Sequence, residues 1–206
     1  MPPPPNNRDA LERALAIFRS QGGILRTKEA IEAGIHPRTL YALRDEGSIE
    51  QLSRGVYRVS GAVPLGNPDL VAVALRAPDA VVCLISALAY HHLTTQIAHQ
   101  IDLAIPRGAE PPRIEYPPVR AYWFSGKAFT EGIETHQLDN VPVRIYSREK
   151  TIADCFRYRN KIGLDTCLEA LQFYKQQRRT DVDALLRFAS VRRVKRVLTP
   201  YLEAIL

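Results

Sequence analysis

This chain of 206 residues predicts an α+β fold. The expected form is an N-terminal winged helix-turn-helix followed by a mixed α+β domain, with a small sheet and C-terminal helices. Three observations predict it. Residues 8–46 carry apolar positions at helical spacing, broken by glycines. Two short β-prone runs with a glycine between them follow at once. From residue 80 onward, β-prone runs come first and most helical runs gather behind them.

Leu11, Leu15 and Phe18 share one face of a helix over 8–20, which Gly22-Gly23 ends. Thr27 is placed to cap a second helix, Lys28 to Ala33, closed by Gly34. Ile35-His36-Pro37 forms a tight turn, and proline costs nothing at the first position of a third helix. That helix runs from Pro37 to about Glu46 and stops at Gly47. Helix, glycine-containing turn, helix is a helix-turn-helix pattern.

Leu40 and Leu43 mark the buried side of the third helix, so Arg38, Tyr41, Ala42 and Asp45 point away. Thr39 and Arg44 lie on the flanks. Such a face suits the major groove, where the first turn reaches base edges and arginine grips guanine O6 and N7. A solvated helix in an ordinary three-helix core is the plainer alternative. Ile49-Glu50-Gln51-Leu52 and Val56-Tyr57-Arg58-Val59 flank Ser53-Arg54-Gly55 and predict a hairpin, hence a wing. Arg54 stands at its tip and Arg58 on its second strand, both suited to phosphate or the minor groove. The expected contacts to double-stranded promoter DNA are Arg38, Thr39 and Tyr41, supported by Thr27, Lys28, Arg44, Arg54 and Arg58.

Residues 61–67, with Pro64 and Gly66, read as a linker, which leaves 8–60 as the DNA-binding domain and 68–206 as a second domain. Residues 1–7, rich in proline, read as a disordered tail. Asn67-Pro68-Asp69 opens a helix that continues through Leu75. Ala80 to Leu84 reads as a short buried strand or an extended entry, and Ser86 caps a helix through His92. Strands are expected at 101–105, 119–123, 133–138 and 141–146, the last two joined at Asp139-Asn140. Pro142 argues that the last is an edge strand or begins late. Ser147 caps a helix over 151–158, and further helices cover 165–177, 181–189 and 191–206, the last interrupted at Pro200.

Composition and charge narrow the classes. No stretch approaches the ~20 apolar residues of a bilayer crossing, and the start lacks a secretory signal. Cys83, Cys155 and Cys167 are scattered and odd in number, which suits a reducing cytoplasm, bacterial or archaeal. The net charge is +6, divided as +2 over 1–60, −2 over 61–147 and +6 over 148–206. A basic balance is the footprint of a phosphate-binding protein, though ordinary surfaces share it. Val191, Val194 and Leu198 predict a buried stripe that leaves Arg192, Arg193, Lys195 and Arg196 exposed, either as a solvated face or as a second surface for an anionic partner.

No phosphate-loop, dinucleotide or nucleophile-elbow motif is present, so neither a cofactor nor a catalytic residue is assigned. His91, His92 and His99 cluster, yet adjacent helical histidines diverge by about 100°, so they read as packing or capping groups rather than metal ligands. Asp102 with Glu149 and Lys150 faintly suggests a metal-dependent nuclease. Such sites alternate acid and lysine on one strand face, whereas these two are adjacent at a helix start. A nuclease or other nucleic-acid modifier delivered by the winged helix is therefore the rival reading. Trp123, between Tyr122 and Phe124, reads as core, with a stacking platform as its alternative.

The run Gly34 to Gly47, followed by Leu52-Ser53-Arg54-Gly55-Val56-Tyr57-Arg58, resembles the N-terminal domain of AbiEi-type antitoxins, regulators of viral-defence loci. Ala80 to Thr94, Ile101 to Gly108 and Val143 to Asp154 resemble later blocks of the same family, in the same order. The resemblance implies a two-domain antitoxin that represses its own operon. It also implies a paired nucleotidyltransferase-like toxin, opposed without stable contact in a type IV arrangement.

Overall fold

The computed structural model describes residues 7–61 and 65–205. The expected tail, apart from Asn7, and the middle of the expected linker lie outside the described residues. The chain divides into two compact units. One runs to Leu75 and includes Leu138–Val141, and the other comprises Arg76–Gln137 and Pro142–Leu206.

The first unit contains α1 (Asn7–Ser20), β1 (Ile24–Arg26), α2 (Thr27–Glu32), α3 (Pro37–Asp45), β2 (Ile49–Ser53) and β3 (Val56–Val59). Phe18, Ala30, Leu40 and Leu43 are fully buried in one core with Ile35, Ile49 and Tyr57. Each buried leucine stabilises the unit by about 1.5–3 kcal/mol over leaving it exposed. The turn between α2 and α3 closes through Gly34 N–H to Ile31 O and Ile35 N–H to Ala30 O, both 2.9 Å. Gly34 takes φ +95°, open to glycine but not to a side chain.

Two local expectations are corrected. Thr27 is the first residue of α2 rather than its cap. Arg26 holds that place, its backbone N–H donating to Glu29 Oε2 at 2.8 Å. β1 was not foreseen: it pairs antiparallel with β3, which makes β3 the middle of a three-stranded sheet ordered β1-β3-β2.

α4 (Pro68–Arg76) follows, with Leu70, Val71, Ala72, Val73 and Leu75 buried.

The second unit carries β4 (Val81–Val82), α5 (Leu84–Tyr90), β5 (Ile101–Pro106), β6 (Val119–Phe124), α6 (Lys127–Thr130) and all but the turn-side residues, Leu138 and Val141, of β7 (Ile133–Leu138) and β8 (Val141–Tyr146). Behind them come α7 (Arg148–Ile162), α8 (Leu164–Gln176), α9 (Val182–Val191) and α10 (Lys195–Ile205). The sheet is mixed and ordered β6-β5-β4-β8-β7. β8 is therefore an inner strand, not an edge. Pro142 is tolerated there because two-residue β4 pairs with β8 only at Val82–Ile145. Ser147 caps α7 as expected, accepting from Lys150 N–H at 3.3 Å. Ser86 lies inside α5 instead of capping it. Its hydroxyl bridges to the next strand, donating to Gln100 O and accepting from Asp102 N–H.

The expected helix over 181–189 runs on to Val191 as α9, and the one expected from 191 begins only at Lys195 as α10, with a bend over 192–194 between them. In one continuous helix, residues 192 and 194 would lie about 200° apart and could not both face inward. Arg193 takes φ +57°, and the bend turns both Arg192 and Val194 toward the core. Pro200 sits within α10 without ending it.

Candidate nucleic-acid interface

α3 is held by its own sequence. His36 caps it, Nδ1 accepting from Arg38 N–H at 3.2 Å, and Pro37 takes the first turn. Neutral imidazole with its proton on Nε2 is the form that accepts there. With Leu40 and Leu43 buried, Arg38 is exposed and Tyr41 is 43% exposed. Thr39 is half-buried. Arg38 contributes only its backbone N–H to a hydrogen bond, and no described residue engages its guanidinium. Of the two arginines on α3, Arg38 is the one without a carboxylate partner.

The other basic positions are engaged. Arg44 donates Nε and Nη2 to Asp45 Oδ1 at 2.9 and 2.7 Å, and its guanidinium lies 5.1 Å from the Tyr41 ring centre. Lys28 pairs with Glu32 at 3.7 Å on the exposed side of α2. Thr27 faces inward: its N–H and hydroxyl both bond to Gly55 O, at 2.9 and 3.3 Å. Gly55 needs its left-handed φ of +74°, and an added Cβ would meet the Thr27 hydroxyl at 3.3 Å. Arg54 stands exposed in the turn beside it.

Arg58 does not face solvent. It is 7% exposed and pairs with Glu50 at 3.4 Å. The hairpin register sets Glu50 directly opposite Arg58, which is the reason the guanidinium is held on the sheet. That register was readable from the turn and could have withdrawn Arg58 from the contacts.

In the second unit the basic run is split by the bend. Arg193, Lys195 and Arg196 are exposed, whereas the Arg192 side chain is 9% exposed. Its Nε lies 2.5 Å from Asp154 Oδ1, and its guanidinium sits 4.3 Å from the Phe124 ring centre. Asp154 Oδ2 accepts from Lys150 Nζ at 2.6 Å, and both side chains are fully buried. Burial raises the Asp154 carboxyl pKa and lowers that of Lys150, while their mutual attraction opposes both shifts. Nothing short of the tertiary fold brings these three residues together.

The nuclease-like trio is spoken for. Asp102 is 1% exposed and bonded to Arg120, with its pKa raised by burial. Glu149 accepts from the Tyr174 hydroxyl at 2.8 Å, and Lys150 belongs to Asp154. His91 Nε2 meets Tyr146 O at 2.7 Å, and burial lowers its pKa. His92 and His99 are exposed. Among the described residues no group of three His, Cys, Asp or Glu could hold a metal ion, and no helix is long and apolar enough to cross a membrane. The three thiols are free and buried. Tyr122 and Phe124 are core, but Trp123 is 49% exposed, with Nε1 donating to Ala109 O.

The chain matches no curated protein by sequence. By structure it is similar to the crystal structure of the RV2827C protein from Mycobacterium tuberculosis. The TM-score is 0.61 at 13% identity, over 88% of this chain and 71% of that one. At that identity the likeness is one of fold. Residues 12–60, which carry the helix-turn-helix and the hairpin, match the family described as "Transcriptional regulator, AbiEi antitoxin".

Proposed function

We propose that this chain is a transcriptional repressor that reads duplex DNA in its own promoter through α3, with the β2–β3 hairpin as its wing. Arg38 carries the reading: an exposed guanidinium with no carboxylate partner, on the first turn of a helix whose opposite face is core. Thr39 and Tyr41 complete the base-facing surface, and Lys28, Arg44 and Arg54 contact phosphates. The regulatory family matched by residues 12–60 supports this class over an enzyme. So does the engagement of Asp102, Glu149 and Lys150 with other partners. The chain acts in the cytoplasm as the antitoxin of a type IV pair, opposing a nucleotidyltransferase-like toxin without stable contact.

Footprinting on the DNA upstream of the chain's own reading frame tests the reading. Wild-type protein protects a defined site. Arg38→Ala loses that preference, since a bidentate guanine contact is worth roughly 1–3 kcal/mol. Equal protection by folded Arg38→Ala would remove Arg38 as the reader. Co-expression with the product of the adjacent reading frame tests the antitoxin role: growth is rescued if the pairing is right and arrested if it is wrong.

A further inference from the structure

The surface proposed to meet DNA is partly neutralised by its own acids. Lys28 faces Glu32 on α2, and Arg44 is gripped by Asp45 on α3, leaving Arg38 without an acid of its own. The Arg44–Asp45 contact is the tighter of the two pairs. Two donors converge on one carboxylate oxygen while the guanidinium lies over Tyr41. A residue that stabilised the fold through this contact would be expected to sit in or against the core. Asp45 does not: its side chain is 64% exposed and that of Arg44 39%. Exposed pairs of this kind contribute little or nothing to stability.

We infer that Asp45 is a specificity determinant that acts by occupying Arg44. The inference rests on the DNA-reading role of α3. A phosphate approaching Arg44 must first displace the Asp45 carboxylate, which offers the same kind of charged oxygen acceptor. The competition lowers affinity for every duplex alike, because phosphate contacts carry no sequence information. A guanine contact by Arg38 meets no such competitor. The ratio of specific to non-specific binding therefore rises, at the expense of absolute affinity. Asp45 is a positioning residue in this scheme, acting on DNA through Arg44 rather than by touching a base.

The test uses full-length protein, a duplex from the chain's own upstream region, and a scrambled duplex of the same length and composition. Removing the carboxylate with Asp45→Asn should raise affinity for the scrambled duplex about threefold and steepen its salt dependence by about one unit of slope. Promoter preference should fall. In an Arg44→Gln background the same change should produce no gain, a pattern that a purely structural role for Asp45 would not give. Thermal melting checks that the variants remain folded. Unchanged or weaker scrambled-duplex binding by Asp45→Asn would overturn the inference. So would a gain that persists without Arg44, or a loss confined to one base pair, which would make Asp45 a base reader. Arg38→Ala in parallel separates the two levels. If promoter preference is absent or ignores Arg38, the reading of α3 falls and the inference with it. If the preference depends on Arg38 while Asp45→Asn changes nothing, the inference alone falls.

Discussion

Arg192 and Asp154 meet in the interior of the second unit, Nε to Oδ1 at 2.5 Å, although Arg192 opens the most basic run of the sequence. Asp154 is thereby held between two cations, Lys150 and Arg192, which lie over the rings of Tyr146 and Phe124 respectively. The run therefore has two kinds of member, one anchoring the bend between α9 and α10 and three facing solvent.

Arg192→Gln should lower the unfolding free energy by about 3 kcal/mol, because it strands a buried carboxylate with one cation instead of two. Arg193→Gln, Lys195→Gln and Arg196→Gln should each stay within about 0.5 kcal/mol of wild type. Urea unfolding of the four single variants decides this. A stable Arg192→Gln would show that the buried contact is dispensable. Any test of the run as an anionic-partner surface should spare Arg192, or loss of fold will pass for loss of binding.

Arg54→Ala should weaken promoter and scrambled duplex by similar factors and reduce the salt slope by about one unit, as expected of a single phosphate contact. Loss at one base pair only would show instead that the hairpin reads sequence.

Gly132 has φ +76°, and a Cβ there would lie 2.7 Å from the Lys150 Cβ, an atom fixed to the α7 backbone. Gly132 O also accepts from Ser147 N–H, so the loop cannot simply retreat from α7. Gly132→Ala should cost more than about 2 kcal/mol, combining left-handed strain with a clash. A melting temperature equal to wild type would contradict the close approach.

Burial, chiefly, lowers the pKa of His91 below its usual value near 6.5. The unfolded chain then binds the proton more readily than the folded one. The contribution is full above the unfolded value and is lost as pH falls through the folded one. The melting temperature should therefore drop as pH goes from about 7 to 5. His91→Gln should flatten that dependence. Identical pH profiles for wild type and variant would assign the acid sensitivity to other groups.

The helix-turn-helix was legible because its signals are local. Leu40 and Leu43 declare the buried side of α3, and Gly34 and Pro37 mark its approach within four residues. β1 was not, since Ile24-Leu25-Arg26 is too short for alternation and its partners are residues 56–58. Arg192 was misread for a similar reason: its partner is 38 positions earlier, and the bend at Arg193 leaves no signature in a run that looks amphipathic throughout. The Glu50–Arg58 pair lies between these cases. Local register implies it, once the strand is counted rather than the charge.

Both polar hydrogens of Thr27 end on one acceptor, the carbonyl of Gly55, and this ties the tip of the hairpin to the entry of α2. Under the proposed reading, α3, held to α2 by the turn at Gly34–Ile35, and the hairpin would be two jaws of one gauge. A protein built this way would measure distance along the duplex as well as identity. Shifting the hairpin's footprint by one base pair, with every base under α3 retained, would put one jaw out of reach. The spacing of the site would then be as much a part of what is recognised as its letters.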